Sequence, residues 1–223
     1  MIAWRDVYRD PYRLRAFEYV RAYYDELELP VVIAGGSGER FTKTSALNEA
    51  IRLLLPETII VQSDPDSFLR WTDATQDAVD EASAAPGLVI PHERYLYLGE
   101  TATRNLFRGD WLREPVDLDC DSHGHAGVGN VTVFSRETWE RAGGYDERFG
   151  IWGGDDAAFA YACGALVAPQ RRLPGDVIHL YHPRHPDSMI GSPGYAAQAA
   201  ILDQYRDAEA IGTDALRELV ANR

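Results

Sequence analysis

A chain of 223 residues with 45% hydrophobic content is long enough to bury one substantial core and too short for two large independent domains. Its formal net charge of −13 and pI near 4.8 disfavour a broad phosphate-tracking surface, so nucleic acid is a disfavoured partner, although a local basic channel is compatible with an acidic protein. Cys120 and Cys163 have no CxxC spacing, which argues against a disulfide scaffold or a cysteine zinc site and makes a reducing cytoplasm the expected location.

In chain order, Ile2 to Trp4 reads as a short opening strand, and the apolar period of Leu14, Phe17, Val20 and Tyr24 after Asp10-Pro11 reads as a helix. Val31 to Ala34 is a short buried strand ended by Gly35-Gly36-Ser37-Gly38, a loop able to approach a ligand closely but lacking both Walker and Rossmann spacing. Thr44 to Leu55 reads as helix and Thr58 to Gln62 as another buried strand. This alternation indicates an α/β fold with a mostly parallel, Rossmann-like central sheet flanked by helices, in a single domain over 1–223. Residues 67–86 read as helical, Leu88 to Ile90 as a strand, and 91–126 carry no pattern that assigns them. Val131 to Phe134 is a strand, Arg136 to Ala142 a short helix, Ala157 to Cys163 a helix opened by Asp155-Asp156, Val177 to Leu180 the last strand, and 195–222 the closing C-terminal helix. No apolar run approaches the ~20 residues needed to span a bilayer, and the start of the chain lacks signal-peptide layout, so a soluble protein with no membrane partner is expected.

Three clusters carry chemistry. Asp64-Pro65-Asp66 falls just past the end of an apolar strand, where open α/β sheets bind ligands; a divalent ion is favoured over the plainer reading of a solvated turn capping the next helix. His179 and His182 close the last strand, Pro183 turns the chain there, and carboxylate plus imidazole suits manganese or a similar ion better than calcium. His185 is equally readable as a surface residue. Gly153-Gly154-Asp155-Asp156 follows Trp152, whose indole offers a flat face for a sugar ring, while the two carboxylates also suit a helix start. Asn48 reads from the sequence alone as a polar core residue tying its helix to the preceding loop.

The run Phe134 to Phe149, followed by Trp152-Gly153-Gly154-Asp155-Asp156, resembles the acceptor-side motif shared by metal-dependent galactosyltransferases and polypeptide N-acetylgalactosaminyltransferases, both nucleotide-sugar enzymes of GT-A fold. Ala3-Trp4-Arg5, Asn48 and Asp64-Pro65-Asp66 are similar to the donor-binding half, and the resemblance covers roughly 1–185. It implies a donor half over about 1–90 and an acceptor and metal half over about 91–190. It further implies that Ala3, Trp4, Arg5, Asn48 and Asp64 lie at the nucleotide-sugar donor, and that Asp66 and His182 hold Mn2+ or another divalent cation such as Mg2+. His179 joins them as a ligand, where galactosyltransferases carry a methionine. Trp152, Gly154 and Asp155 would bind the acceptor and Asp156 would be the catalytic base. Asp155 replaces the usual glutamate, and Ala157-Ala158 replace further acidic residues, so acceptor identity does not carry over.

The expected activity is inverting transfer of a hexosyl or N-acetylhexosaminyl group from a nucleotide-diphosphate sugar, a UDP-sugar first, to a hydroxyl acceptor: a glycan, protein, metabolite or modified DNA base. The rivals are a carbohydrate-binding protein of the same fold without turnover and a metal-dependent nucleotidyl transferase or hydrolase; the latter leaves Trp152 to Asp156 unexplained.

Overall fold

A computed structural model describes every residue except 8, 110–122, 125–126, 151–152, 185 and 187–188. The elements run β1 (Ile2–Ala3), α1 (Pro11–Glu26), β2 (Ile33–Ala34), α2 (Lys43–Arg52), β3 (Ile59–Ser63), β4 (Ser67–Leu69), α3 (Asp73–Ala84), β5 (Val89–Ile90) and β6 (Arg94–Tyr97). There follow α4 (Glu100–Leu106), β7 (His123–Gly124), β8 (Val131–Ser135), α5 (Arg136–Arg141), α6 (Asp155–Leu166), β9 (Arg171–Arg172), β10 (Asp176–His179), α7 (Pro193–Ile211) and α8 (Thr213–Ala221).

Six strands form the main sheet in the order β2-β1-β3-β8-β5-β9. β1 runs parallel to β2 and β3, whereas β8 is antiparallel to both of its neighbours, so the sheet is mixed about a parallel edge. A second sheet, β4-β10-β6-β7, sets β10 antiparallel to β4 with His179 opposite Ser67. That register brings the last residue of β10 beside the residue after Asp66, which is how two segments more than a hundred positions apart come to share one site.

Local sequence explains the helix starts. Asp10 accepts hydrogen bonds from the Tyr12 and Arg13 amides at 2.8 and 3.4 Å, with Pro11 in the first turn of α1. Thr42 accepts from the Ser45 amide at 3.3 Å and so opens α2. Buried Phe17, Val20 and Tyr24 of α1 pack with Phe68 and Ile178, while Leu47 and Ile51 of α2 pack with Phe134, Tyr145 and Phe159. Leu14, read from its period as part of the buried face, is exposed.

Two readings are corrected, for residues 67–86 and for the closing helix, and two segments without a reading gain elements. Residues 67–86 are not one helix: Ser67 to Leu69 pair with β10 before α3 begins at Asp73. The unassigned segment contains β6 and α4. Arg171–Arg172 form an edge strand, two residues long and so without a readable period. The closing helix is two, because Gly212 adopts φ 135°, a conformation that only glycine tolerates easily. Among the described residues no helix is long and apolar enough to cross a membrane.

Candidate active site

β1 and β3 are parallel neighbours, so the segments leaving their carboxyl ends, Trp4-Arg5 and Asp64-Pro65-Asp66, emerge side by side. Trp4 donates its amide to Ala34 O at 3.0 Å and stacks on Phe17 with ring centroids 4.7 Å apart. Arg5 donates to the carbonyls of Gly36 and Gly38 and lies over the Phe41 ring, so it braces the glycine loop that borders the same strand ends. Ala3 is buried in the strand itself.

Asp66 and the two histidines converge as expected. One ligand atom from each of Asp66, His179 and His182 lies within 4.8 Å of the other two. His182 Nε2 is 3.1 Å from Asp66 Oδ2, and His179 Nε2 is 3.7 Å from Oδ1. His182 Nδ1 sits 3.0 Å from the Pro183 carbonyl, which accepts a hydrogen bond from that nitrogen, so Nε2 is the nitrogen aimed at the cluster, donating to Asp66 when protonated and open to an ion once that proton leaves. Burial alone would push the Asp66 carboxyl up, but His179, His182 and Arg13 outweigh it and hold the group well below the ordinary carboxylate range. Burial lowers His179; for His182 the Asp66 hydrogen bond outweighs burial and raises it. One carboxylate and two imidazoles form a donor set suited to manganese or a similar divalent ion.

A second cluster surrounds Lys43, at the first position of α2. Its Nζ lies 2.9 Å from Asp64 Oδ1, 3.2 Å from Asp155 Oδ2, and 2.9 and 3.0 Å from the two oxygens of Asp156. Gly154, at φ 93°, turns the chain into α6 so that Asp155 and Asp156 occupy its first turn. A Cβ there would meet Phe149 at 2.9 Å, and one on Gly129 would meet Asp156 Oδ2 at 2.6 Å, so both glycines are required by close approach. Burial, then the charge of Asp155, push the Asp156 carboxyl up to about 7, with Lys43 opposing them. Burial also raises Asp64, again against Lys43. Lys43 is itself held well above its ordinary value, since the three carboxylates outweigh its burial.

Asn48 takes a different role from the donor contact that the resemblance implies. Its Oδ1 accepts from Trp139 Nε1 at 3.1 Å and the Tyr145 amide at 2.9 Å. Its Nδ2 donates to Tyr145 O at 2.8 Å and Glu147 Oε1 at 2.9 Å. Both lone pairs and both protons are therefore used inside the fold, and Asn48 ties α2 to the segment that leads into α6. Trp152 and His185 lie outside the described residues.

Two charged residues escaped the sequence reading. Lys43 carries no motif of its own, only its place in the first turn after a glycine loop. Arg13, one turn into α1, lies 3.9 Å from Asp66 Oδ2; its signal was the Asp10-Pro11 helix start that aims the first turn at the strand ends.

A family model described as the N-terminal domain of galactosyltransferase matches residues 114–186, the stretch that contains Gly129, the α6 carboxylates and both histidines. No curated protein matches the chain by sequence. A variant of Drosophila β1,4-galactosyltransferase 7, solved with manganese, UDP-Gal and xylobiose, superposes with TM-score 0.54 at 13% identity over 81% of this chain and 69% of that one. The fold is that of the GT-A glycosyltransferases. The catalytic domain of the same Drosophila enzyme with xylobiose gives TM-score 0.49 at 14% identity, over 77% of this chain and 62% of that one. GalNAc-T7 with UDP, GalNAc and Mn2+ gives 0.49 at 13%, over 86% and 41%. The chain thus spans less than two thirds of the length of the xylobiose-bound catalytic domain and less than half of GalNAc-T7.

Proposed function

We propose that this GT-A chain is a metal-dependent inverting glycosyltransferase that moves a hexosyl or N-acetylhexosaminyl group from a UDP-sugar to a hydroxyl acceptor. The observation that carries the reading is the adjacency of two clusters of opposite design: a carboxylate-imidazole set at Asp66, His179 and His182, and an acidic set at Asp64, Asp155 and Asp156 gathered on Lys43. Asp64 belongs to both neighbourhoods, since it bonds Lys43 and also feels the charge of Asp66.

Asp66, His179 and His182 would hold the divalent ion, manganese by the donor set. Bound there, it would offset the charge that develops on a departing diphosphate. Trp4-Arg5 and the glycine loop border the donor, and Asp64 faces its sugar side. Asp155 orients the acceptor. Asp156 takes the acceptor hydroxyl proton while the new bond from that oxygen to the anomeric carbon forms. The bond from that carbon to the diphosphate breaks on the opposite face, and its electron pair leaves with the diphosphate, inverting the centre. A carboxylate near neutral is well matched to general-base work at physiological pH, and the raised Asp156 fits that requirement.

Titration calorimetry with UDP and Mn2+ tests the division of labour. Asp66→Asn is expected to weaken metal-dependent UDP binding by at least about 10- to 100-fold, the loss that follows from removing even a residue that only supports a metal ligand, while Asp156→Asn leaves it nearly intact. Equal losses in both variants would show that donor and acceptor carboxylates are not separate.

A further inference from the structure

Lys43 is the one cation ion-paired with all three carboxylates of the acidic cluster among the described residues, hydrogen-bonding Asp156 through both oxygens, and the proposed reaction gives it no step. Its setting is unusual on general grounds. A lysine in the first turn of a helix faces the positive end of the helix dipole, an unfavourable place for a cation unless anions compensate it. Here three do, from two different segments: Asp64 after β3, and Asp155 and Asp156 from the first turn of α6. The ammonium is a compact donor with three protons, and it reaches all three carboxylates at 2.9 to 3.2 Å.

We propose that Lys43 is a positioning residue that gathers Asp155 and Asp156 against Asp64 and keeps Asp156 available as a base near neutral pH; this rests on the transferase reading given above. The charge balance carries the argument. Asp156 faces Asp155 from its own helix, Asp64 from the strand end, Lys43 from α2, and the phenols of Tyr145 and of Tyr95 on β6. Of these groups only Lys43 is positive. Without it, three partly buried carboxylates would face one another across the same small space, and the group that protonates most easily would stay protonated at neutral pH. The side chain would also lose its tether, since both of its oxygens are bonded to Lys43 Nζ. Asp64 is joined to the acceptor pair through the same ammonium, so Lys43 spans the donor and acceptor sides of the cleft.

The test uses Lys43→Met and Lys43→Gln; the glutamine keeps hydrogen-bonding capacity without charge and stands in should the methionine variant fold poorly. Carboxyl 13C titration, with the Asp156 signal assigned from its loss in Asp156→Asn, is read beside the pH dependence of UDP release from UDP-galactose with Mn2+. The Asp156 midpoint is expected to rise by at least about one pH unit in both neutral variants, within the 1–3 units by which an opposite charge moves a carboxyl, and the acid limb of turnover should follow it. Lys43→Arg should bring the midpoint back toward wild type, because it restores charge, while turnover stays low because a planar fork does not fit three carboxylates. A purely structural lysine would change the melting temperature and leave the midpoint in place. An unmoved midpoint in an active enzyme overturns the inference and leaves the transferase reading standing. A moved midpoint in a protein that never releases UDP does the reverse.

Discussion

Replacing Asn48 by leucine separates a structural tie from a ligand contact, because the two roles predict different losses. The leucine has similar volume but satisfies none of the four hydrogen bonds. Glu147 is half-exposed and recovers its bond from water, which leaves three buried groups without partners: Trp139 Nε1–H, the Tyr145 amide and the Tyr145 carbonyl. Each unsatisfied buried polar group costs about 1–3 kcal/mol, so the three together cost about 3–9, and burying the added apolar surface returns about 1–2; a net loss of about 4 kcal/mol is expected. For a chain of this length that corresponds to a melting temperature lower by about 8–16 °C. Urea unfolding followed by tryptophan fluorescence gives the free energy, and calorimetry with UDP and Mn2+ at low temperature gives the affinity of the folded protein. The structural role predicts a large stability loss with UDP affinity kept within a few fold. Wild-type stability together with lost UDP binding would refute it and return Asn48 to the donor site.

Gly154→Ala should lower stability by more than about 1 kcal/mol, since alanine resists a left-handed backbone and its Cβ would press on Phe149; acceptor-dependent activity should fall further than UDP binding, read by paired melting and calorimetry, and an unchanged melting curve would contradict the turn. Mn2+ affinity should fall as pH drops, beginning above about 6.5, because a proton held on the raised His182 must leave before that nitrogen can bind metal; electron paramagnetic resonance of free Mn2+ between pH 5 and 8 measures it, and a flat profile would exclude His182 as a ligand. Arg13→Ala should weaken UDP binding at low salt more than at high salt, consistent with a guanidinium beside the metal cluster, and a salt-independent effect would place Arg13 in packing alone.

The parts of the site legible in the sequence are those where an apolar run stops at a chemical group. The β3 run ends at Asp64-Pro65-Asp66, and the β10 run ends at His179, so strand patterning alone put carboxylates and imidazoles at the carboxyl ends of strands. Gly153-Gly154 before Asp155-Asp156 likewise marked a tight entry into a helix. What sequence hid was pairing across long separations. Asn48, read from the sequence as a tie to the preceding loop, bonds Tyr145, 97 positions away, and Lys43, which on its own reads as an ordinary helix residue, bonds Asp156, 113 away. β4 was hidden because its three residues follow the Asp66 turn directly, so their period merged with that of α3. The break at Gly212 was hidden because α7 and α8 share one helical pattern, and only the backbone angle of the glycine divides them.

The central claim is that Asp156 acts as the base of an inverting transfer whose donor is held at Asp66, His179 and His182. Its most direct measurement is proton NMR of the sugar released or transferred from UDP-galactose, with Mn2+ or with excess chelator, for wild type and Asp156→Asn. The account predicts a product of inverted anomeric configuration that forms only with the divalent ion, and a rate about 10²–10⁴-fold lower in Asp156→Asn with UDP affinity preserved. Retained configuration, full turnover in chelator, or a wild-type rate in Asp156→Asn would contradict it.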